Sequence, residues 1–161
     1  QDICFVGRDH YTEFLTRHHP AMRRPGAVVD IEGRHLGHHQ GTARFTIGQR
    51  RGLGIAAGAP RYVVDIDPKT STVVVGERHH LAVDGVGLDQ ITWVDRPCAD
   101  GAEIEVQYRA HAGAVKATWS AGSVRFDEPQ LAVAPGQTAA LYRGDEVLGS
   151  GVIAAVDRSG R

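Results

Sequence analysis

The sequence predicts a mainly β protein: a small central β-rich domain followed by an antiparallel β-barrel, with one short helix near the start. Two observations carry this. Runs of four to seven residues rich in Val, Ile, Thr, Tyr and Trp recur at roughly ten-residue intervals through the second half, as small barrels require. Gly, Pro, Asp and Asn-like turn chemistry separates them.

The elements follow in order. DHYTEFLTRHHP, residues 9–20, is the one amphipathic helical stretch. Asp9 suits an N-cap, Tyr11, Phe14 and Leu15 share a face, and Pro20 ends the run. GAVVDI, then EG, then RHLG predicts a hairpin. RFTI, residues 44–47, predicts a short alternating strand. RYVVDID and TVVVG, joined by PKTS, form the clearest hairpin, with β-branched residues on both arms. QITWV, EIEVQYR, AVKATW and SVRFD supply the middle strands. TAALYR and EVLGSGVIA form a closing hairpin across RGDE. The boundary between the two β parts is expected near VDGVG, residues 83–87, and the tail DRSGR is expected to be disordered.

Several classes of function are excluded or left without support. The 161 residues carry 18 basic and 19 acidic side chains, a net charge of −1, so no global charge marks a nucleic-acid binder. No apolar run approaches the 18–20 or so residues of a membrane span. No basic, then apolar, signal segment opens the chain. Two cysteines, Cys4 and Cys98, make no disulfide framework, and a cytoplasmic location is the expectation.

The charge distribution is less even. Between Gly33 and Val64 there is no Asp or Glu, while Arg34, Arg44, Arg50, Arg51 and Arg61 all fall there. The guanidinium fork matches phosphate with paired hydrogen bonds. A solvated cationic loop face explains the pattern equally well. FTIGQRRGLGIAAG, within this window, lacks both the G-x-x-x-x-G-K-[ST] and the G-x-G-x-x-G patterns. It suits either a backbone approach to phosphate, with Arg50 and Arg51 supplying charge, or a connector between strands.

HLGHHQG clusters His35, His38 and His39. Zinc is one reading; a polar turn is the better one, because no Cys or carboxylate lies near. No metal site is expected. Cys4 stands between Ile3 and Phe5. Apolar neighbours raise a thiol's pKa, and Asp2 disfavours the thiolate, so local chemistry favours a buried residue over a nucleophile. Cys98 sits in a turn.

Taken together, QDICF, PG at 25–26, G-x-H-x-G at Gly37–Gly41, FTIGQRRGLGI, YVVDID, PGQTAALY and LGSGVI resemble the bacterial tRNA-specific 2-thiouridylases, from Gln1 to about Ile153. The resemblance implies central and C-terminal domains only: residues 1–24 as the end of a catalytic domain, 25–84 a central β domain, 85–156 a barrel and 157–161 a tail. It implies a sulfurtransferase that makes 2-thiouridine at the wobble position of tRNA. ATP, bound by an N-terminal domain, adenylates the uracil O2; no cofactor is expected in this part. Cys4 matches the cysteine that carries the persulfide. Sulfur transfer from a persulfide needs a second thiol and leaves a disulfide; neither that cysteine nor the SGG-x-DS pyrophosphate loop is matched here. The chain alone is therefore expected not to turn over. The implied partners are tRNA and a persulfide sulfur-donor protein, with no membrane. The implied tRNA contacts are Gln107, Tyr108 and Gln137. The family has Arg where Gln107 stands, which weakens a phosphate role there, and Arg109 follows directly. The alternative is a free-standing RNA-binding or protein-docking β-barrel module with no catalysis.

Overall fold

The computed structural model describes residues 17–55, 58–110 and 112–158. Cys4 and most of the helix expected at 9–20 lie outside the described residues. The chain divides between His80 and Leu81 into two compact units.

The first unit holds a four-stranded sheet in the order β2-β1-β4-β3. The strands are β1 (Gly26–Asp30), β2 (His35–His39), β3 (Tyr62–Asp67) and β4 (Thr72–Gly76). Both expected hairpins form, and β1 and β4 join them as a parallel pair. Val28, Leu53, Val63, Val73 and Val75 make the core, with Phe45, Ile47, Ile55 and Ile66 packed on it.

Each hairpin turn is built on an aspartate. The Asp30 carboxylate accepts the N–H of Glu32 at 3.0 Å, the N–H of Arg34 at 2.9 Å and Arg34 Nε at 2.7 Å. Asp67 accepts the Lys69 N–H at 2.8 Å and the Thr70 hydroxyl at 2.7 Å. A short polar side chain that satisfies turn N–H groups fixes the reversal of the chain.

The residues of the PG and G-x-H-x-G stretches meet at one point. His39 is buried; its Nε2 donates to the Ser71 carbonyl at 3.0 Å, and its Nδ1 accepts the Gly41 N–H at 3.0 Å. That pattern fixes the Nε2–H tautomer. Ser71 Oγ donates to the Arg24 carbonyl at 2.7 Å. Gly26 passes so close that a Cβ there would overlap the Ser71 carbonyl oxygen. His35 and His38 remain exposed, with ring centroids 4.4 Å apart.

RFTI is not a strand. Thr42–Arg44 forms a 3-10 turn, and Thr46 to Gln49 a second reversal. The alternation of Phe45 and Ile47 does reflect burial against the core. Their backbone groups, however, are satisfied locally: Phe45 N–H donates to Thr42, and Thr46 N–H to the Gln49 side chain at 3.0 Å. No neighbouring strand is needed.

The second unit is a closed barrel in the order β10-β5-β8-β7-β6-β9, antiparallel at every seam. Its strands are β5 (Ala82–Trp93), β6 (Glu103–Gln107), β7 (Val115–Ser120), β8 (Ser123–Leu131), β9 (Thr138–Arg143) and β10 (Glu146–Asp157). Alternate residues fill the interior, among them Val83, Ile104, Val106, Trp119, Phe126, Leu141 and Ile153. Trp93 and Trp119 meet edge to face, with centroids 5.1 Å apart.

Three sequence expectations are corrected here. Residues 83–87, expected at a boundary, lie inside β5. There Gly85 lets the strand approach the Val124 carbonyl, which a Cβ would meet at 2.8 Å. QITW, residues 90–93 of the expected QITWV strand, is the far part of the same β5 rather than a separate strand. Asp157, assigned to the tail, still pairs with Gly85 in β10.

Two outcomes follow. Gly26→Ala should destabilise the first unit by about 1–3 kcal/mol, the usual range for forced overpacking, whereas Gly113→Ala, which meets open space, should not. Urea titrations of both variants check this. Asp30 gives a pH signature. Burial pulls its carboxyl upward, but the Arg34 N–H, the Arg34 guanidinium and the Glu32 N–H outweigh that pull and hold it below the ordinary 3.8. A depressed folded-state pKa contributes stability above the unfolded value and loses it as pH falls through the folded one. The urea midpoint should therefore drop more steeply below about pH 4 in the unmodified chain than in Asp30→Asn.

Candidate functional site

Barrel register decides which residues share an end. Gln107 pairs with Ala140, Val106 with Val115, Ala82 with Leu131, and Val152 with Thr138. The exit of β6, the entry of β7, the exit of β8 and the entry of β9 therefore lie at one end of the barrel. Gln107, Tyr108 and the segment from Gln130 to Gln137 all fall there.

Tyr108 is the anchor of this end. Its ring packs on the barrel core, 5.9 Å from Phe126. Its hydroxyl donates to Gln130 Oε1 at 3.0 Å, and Gln130 Nε2 donates to the Glu128 carbonyl at 2.8 Å. Burial pushes the phenol above its ordinary 10, with the Arg109 charge opposing. The group is therefore a neutral donor and acceptor at physiological pH.

Arg109 reaches back over the same surface. Its guanidinium carbon lies 5.4 Å from the Tyr108 ring centre, a cation–π distance. Nη2 donates to the carbonyls of Leu131 and Ala132. Carbonyls hold the cation in place without neutralising it. Ala132 has φ of 55°, in the left-handed region, so the turn that supplies one of these carbonyls is conformationally constrained.

Gln107 is engaged from both ends of its amide. Nε2 donates to the Ala112 carbonyl at 2.7 Å, and Oε1 accepts the Tyr142 hydroxyl at 3.4 Å. Gln137 closes the PGQ turn. Its Oε1 accepts the Ala134 N–H at 3.0 Å, its carbonyl accepts the Ile153 N–H at 2.8 Å, and the Gly136 N–H donates to Ile153 at 2.8 Å. The turn is thereby pinned to β10. Gln137 Nε2 donates to no group among the described residues, which leaves a donor for a ligand.

The structure thus places the three expected contact residues at one end, but not in one hydrogen-bonded cluster. Tyr108, Arg109 and Gln130 form the cluster; Gln107 and Gln137 each brace a separate loop. Gln130 was not singled out from sequence. It lies 22 residues from Tyr108, and no local pattern signals that pairing. Cys98 sits elsewhere, half-buried against the barrel core. Among the described residues no three His, Cys, Asp or Glu side chains gather closely enough to hold a metal ion. No helix among them is long and apolar enough to cross a membrane. The chemistry of this end is that of a rigid rim with hydrogen-bond donors, an aromatic face and one held cation. It suits holding a polar ligand rather than making or breaking bonds.

Comparison with known proteins places this architecture. The family described as the tRNA methyl transferase PRC-barrel domain matches residues 12–77, and the aminomethyltransferase β-barrel domain matches residues 83–153. A tRNA-specific 2-thiouridylase MnmA from Rhizorhabdus wittichii is 44% identical over 158 residues, covering 96% of this chain and 41% of that protein. Its counterpart from Geobacter metallireducens is 42% identical over 165 residues, covering 99% and 45%. That from Chloroflexus aurantiacus is 44% identical over 160 residues, covering 96% and 45%. The chain spans less than half the length of these relatives. With both β domains matched and this identity running across nearly all of its residues, the chain belongs to the tRNA-specific 2-thiouridylase family, as its central and C-terminal domains.

Proposed function

We propose that this chain is the sulfur-carrying and tRNA-holding part of a cytoplasmic tRNA-uridine 2-sulfurtransferase. The observation that supports the reading is the Tyr108–Gln130–Arg109 cluster, at the barrel end that also carries Gln107 and Gln137, the contacts the resemblance implies. Tyr108 contributes a ring that seats Arg109 and a phenol locked by Gln130. Arg109, held by two carbonyls, supplies the positive charge that Gln107 does not. Gln137 offers an amide donor from a braced turn.

In the whole enzyme, ATP activates the uracil O2 so that AMP can leave. Cys4 carries a persulfide received from a donor protein. Its outer sulfur replaces the leaving oxygen at C2, and a second thiol attacks the inner sulfur, so that a disulfide remains. The role of the β units is to keep the RNA fixed while a short-lived activated base waits for sulfur.

Two measurements test this. Gln107→Arg restores a cation at the family's position. It should tighten tRNA binding at low salt and steepen the dependence of log K on log salt by about one unit; an unchanged slope would place the RNA elsewhere. In an enzyme that joins this chain to an ATP-binding domain, Cys4→Ser should abolish thiolation while adenylation persists. Retained thiolation would remove Cys4 from the relay, and mass spectrometry of the unmodified enzyme with sulfur donor should show one added sulfur on Cys4.

A further inference from the structure

The glycine-rich segment from Thr46 to Ile55 contains two kinds of residue. Gln49 belongs to the fold. Its Oε1 accepts the Thr46 N–H, its Nε2 donates to the Arg51 carbonyl at 2.9 Å, and its own carbonyl accepts the Val63 N–H at 2.9 Å. Gly52 and Gly54, with φ of 71° and 68°, turn the backbone through a region glycine enters without strain.

Arg50, Arg51 and Arg61 serve no such purpose. Arg50 and Arg51 are exposed, and none of the three has a carboxylate partner among the described residues. Arg61 is half-buried, and its Nε–H is buried with no acceptor. The contrast is Arg34, which binds both Asp30 at 2.7 Å and Glu32 at 3.0 Å. Arg50 and Arg61 line one cleft of about 280 Å³, together with Gly52, Leu53, Gly54 and Pro60. No acidic residue occurs in the sequence from Gly33 to Val64 to compete for them. Two arginines that line one open cleft, neither with a carboxylate partner among the described residues, match an oxyanion that accepts several hydrogen bonds at once. The cleft lies at the small end of organic ligand sites, which suits a phosphodiester better than a whole nucleotide.

We infer that this cleft of the first unit binds a phosphate group of RNA, clamped between Arg50 and Arg61. The tRNA reading supplies only the identity of the molecule that carries the phosphate. The cleft's match to a phosphoryl oxyanion rests on its own residues. Gln49 sets the turn, the glycines open the cleft, and the arginines fill it with charge.

Two probes test the inference on the full chain. Inorganic phosphate, titrated at constant ionic strength against chloride, should give saturable NMR shifts at the Arg50 and Arg61 side chains and at the Gly52 and Gly54 amides. Arg50→Gln should abolish them; Arg61→Lys, which keeps the charge and the stem packing, should weaken them several-fold. With a tRNA transcript, Arg50→Gln should lower the slope of log K against log salt by about one unit, while Lys69→Gln, at an exposed turn of the same unit, leaves the slope unchanged. Shifts with phosphate but no tRNA binding by the chain would retain the phosphate cleft and remove the tRNA reading. Shifts with phosphate but an unchanged tRNA slope in Arg50→Gln would overturn the assignment to RNA. Absence of phosphate shifts with an unchanged slope would overturn the site and leave the barrel-end reading standing.

Discussion

Closure of the barrel by β10 is the constraint on which the second unit depends. An open sheet would leave a row of unpaired N–H and C=O groups at each edge; here β10 pairs with β5 along one side and β9 along the other. A strand shared by two neighbours over such length must come very close to both. Gly149 meets the Thr92 carbonyl where a Cβ would overlap it, and Gly151 lies where a Cβ would be 3.2 Å from the Asp89 carbonyl oxygen. The LGSGVI stretch is thus a closure device. Its last residues also hold the PGQ turn, because Ile153 exchanges hydrogen bonds with Gly136 and Gln137. One strand therefore seals the sheet and orients a loop of the rim.

The first unit is organised differently. Its parallel contact between β1 and β4 joins two hairpins that are far apart in sequence, and parallel pairs need something besides a tight turn to bring them together. The Gly26–Ser71–His39 junction meets that need. Ser71, in the left-handed region with φ of 56°, turns its carbonyl toward His39 and its hydroxyl toward Arg24. Those bonds secure β1 beside the start of β4. A buried histidine in this role is a satisfied donor and acceptor, and its chemistry is used up by the fold.

Much of the strand order was legible, because alternation and turn chemistry act locally. The Asp67 turn and the β3–β4 hairpin need only the residues between them. The segment RFTI shows the limit. Phe45 and Ile47 alternate for burial, yet a neighbouring glutamine side chain meets the backbone, and no local signal separates that from a strand. The fusion of VDGVG and QITWV into β5 was hidden for a related reason: glycines in a strand look like a linker until the strand they lean against is known. The barrel-end residues were named through resemblance, while the partner of Tyr108 and the carbonyl hold on Arg109 depend on a 22-residue separation that only closure brings together.

The way these polar groups are committed bears on what each can contribute to RNA recognition. Base-edge reading needs side chains with spare, well-aimed donors and acceptors, whereas phosphate contact needs charge in a fixed place. Gln107 and Gln130 have most of their amide capacity engaged within the barrel, and Tyr108 has its hydroxyl engaged with Gln130. What they present outward is shape and Arg109's charge. The cleft at Arg50 and Arg61 likewise offers charge without base-edge groups. Contacts of this kind fix register and orientation and are indifferent to sequence. Gln137, whose Nε2 meets no acceptor among the described residues, is the exception at the barrel end. On the proposed function, these β units would hold any RNA of the right backbone shape. On the proposed function, discrimination among bases would fall to groups outside this frame, around the uracil during activation and sulfur transfer.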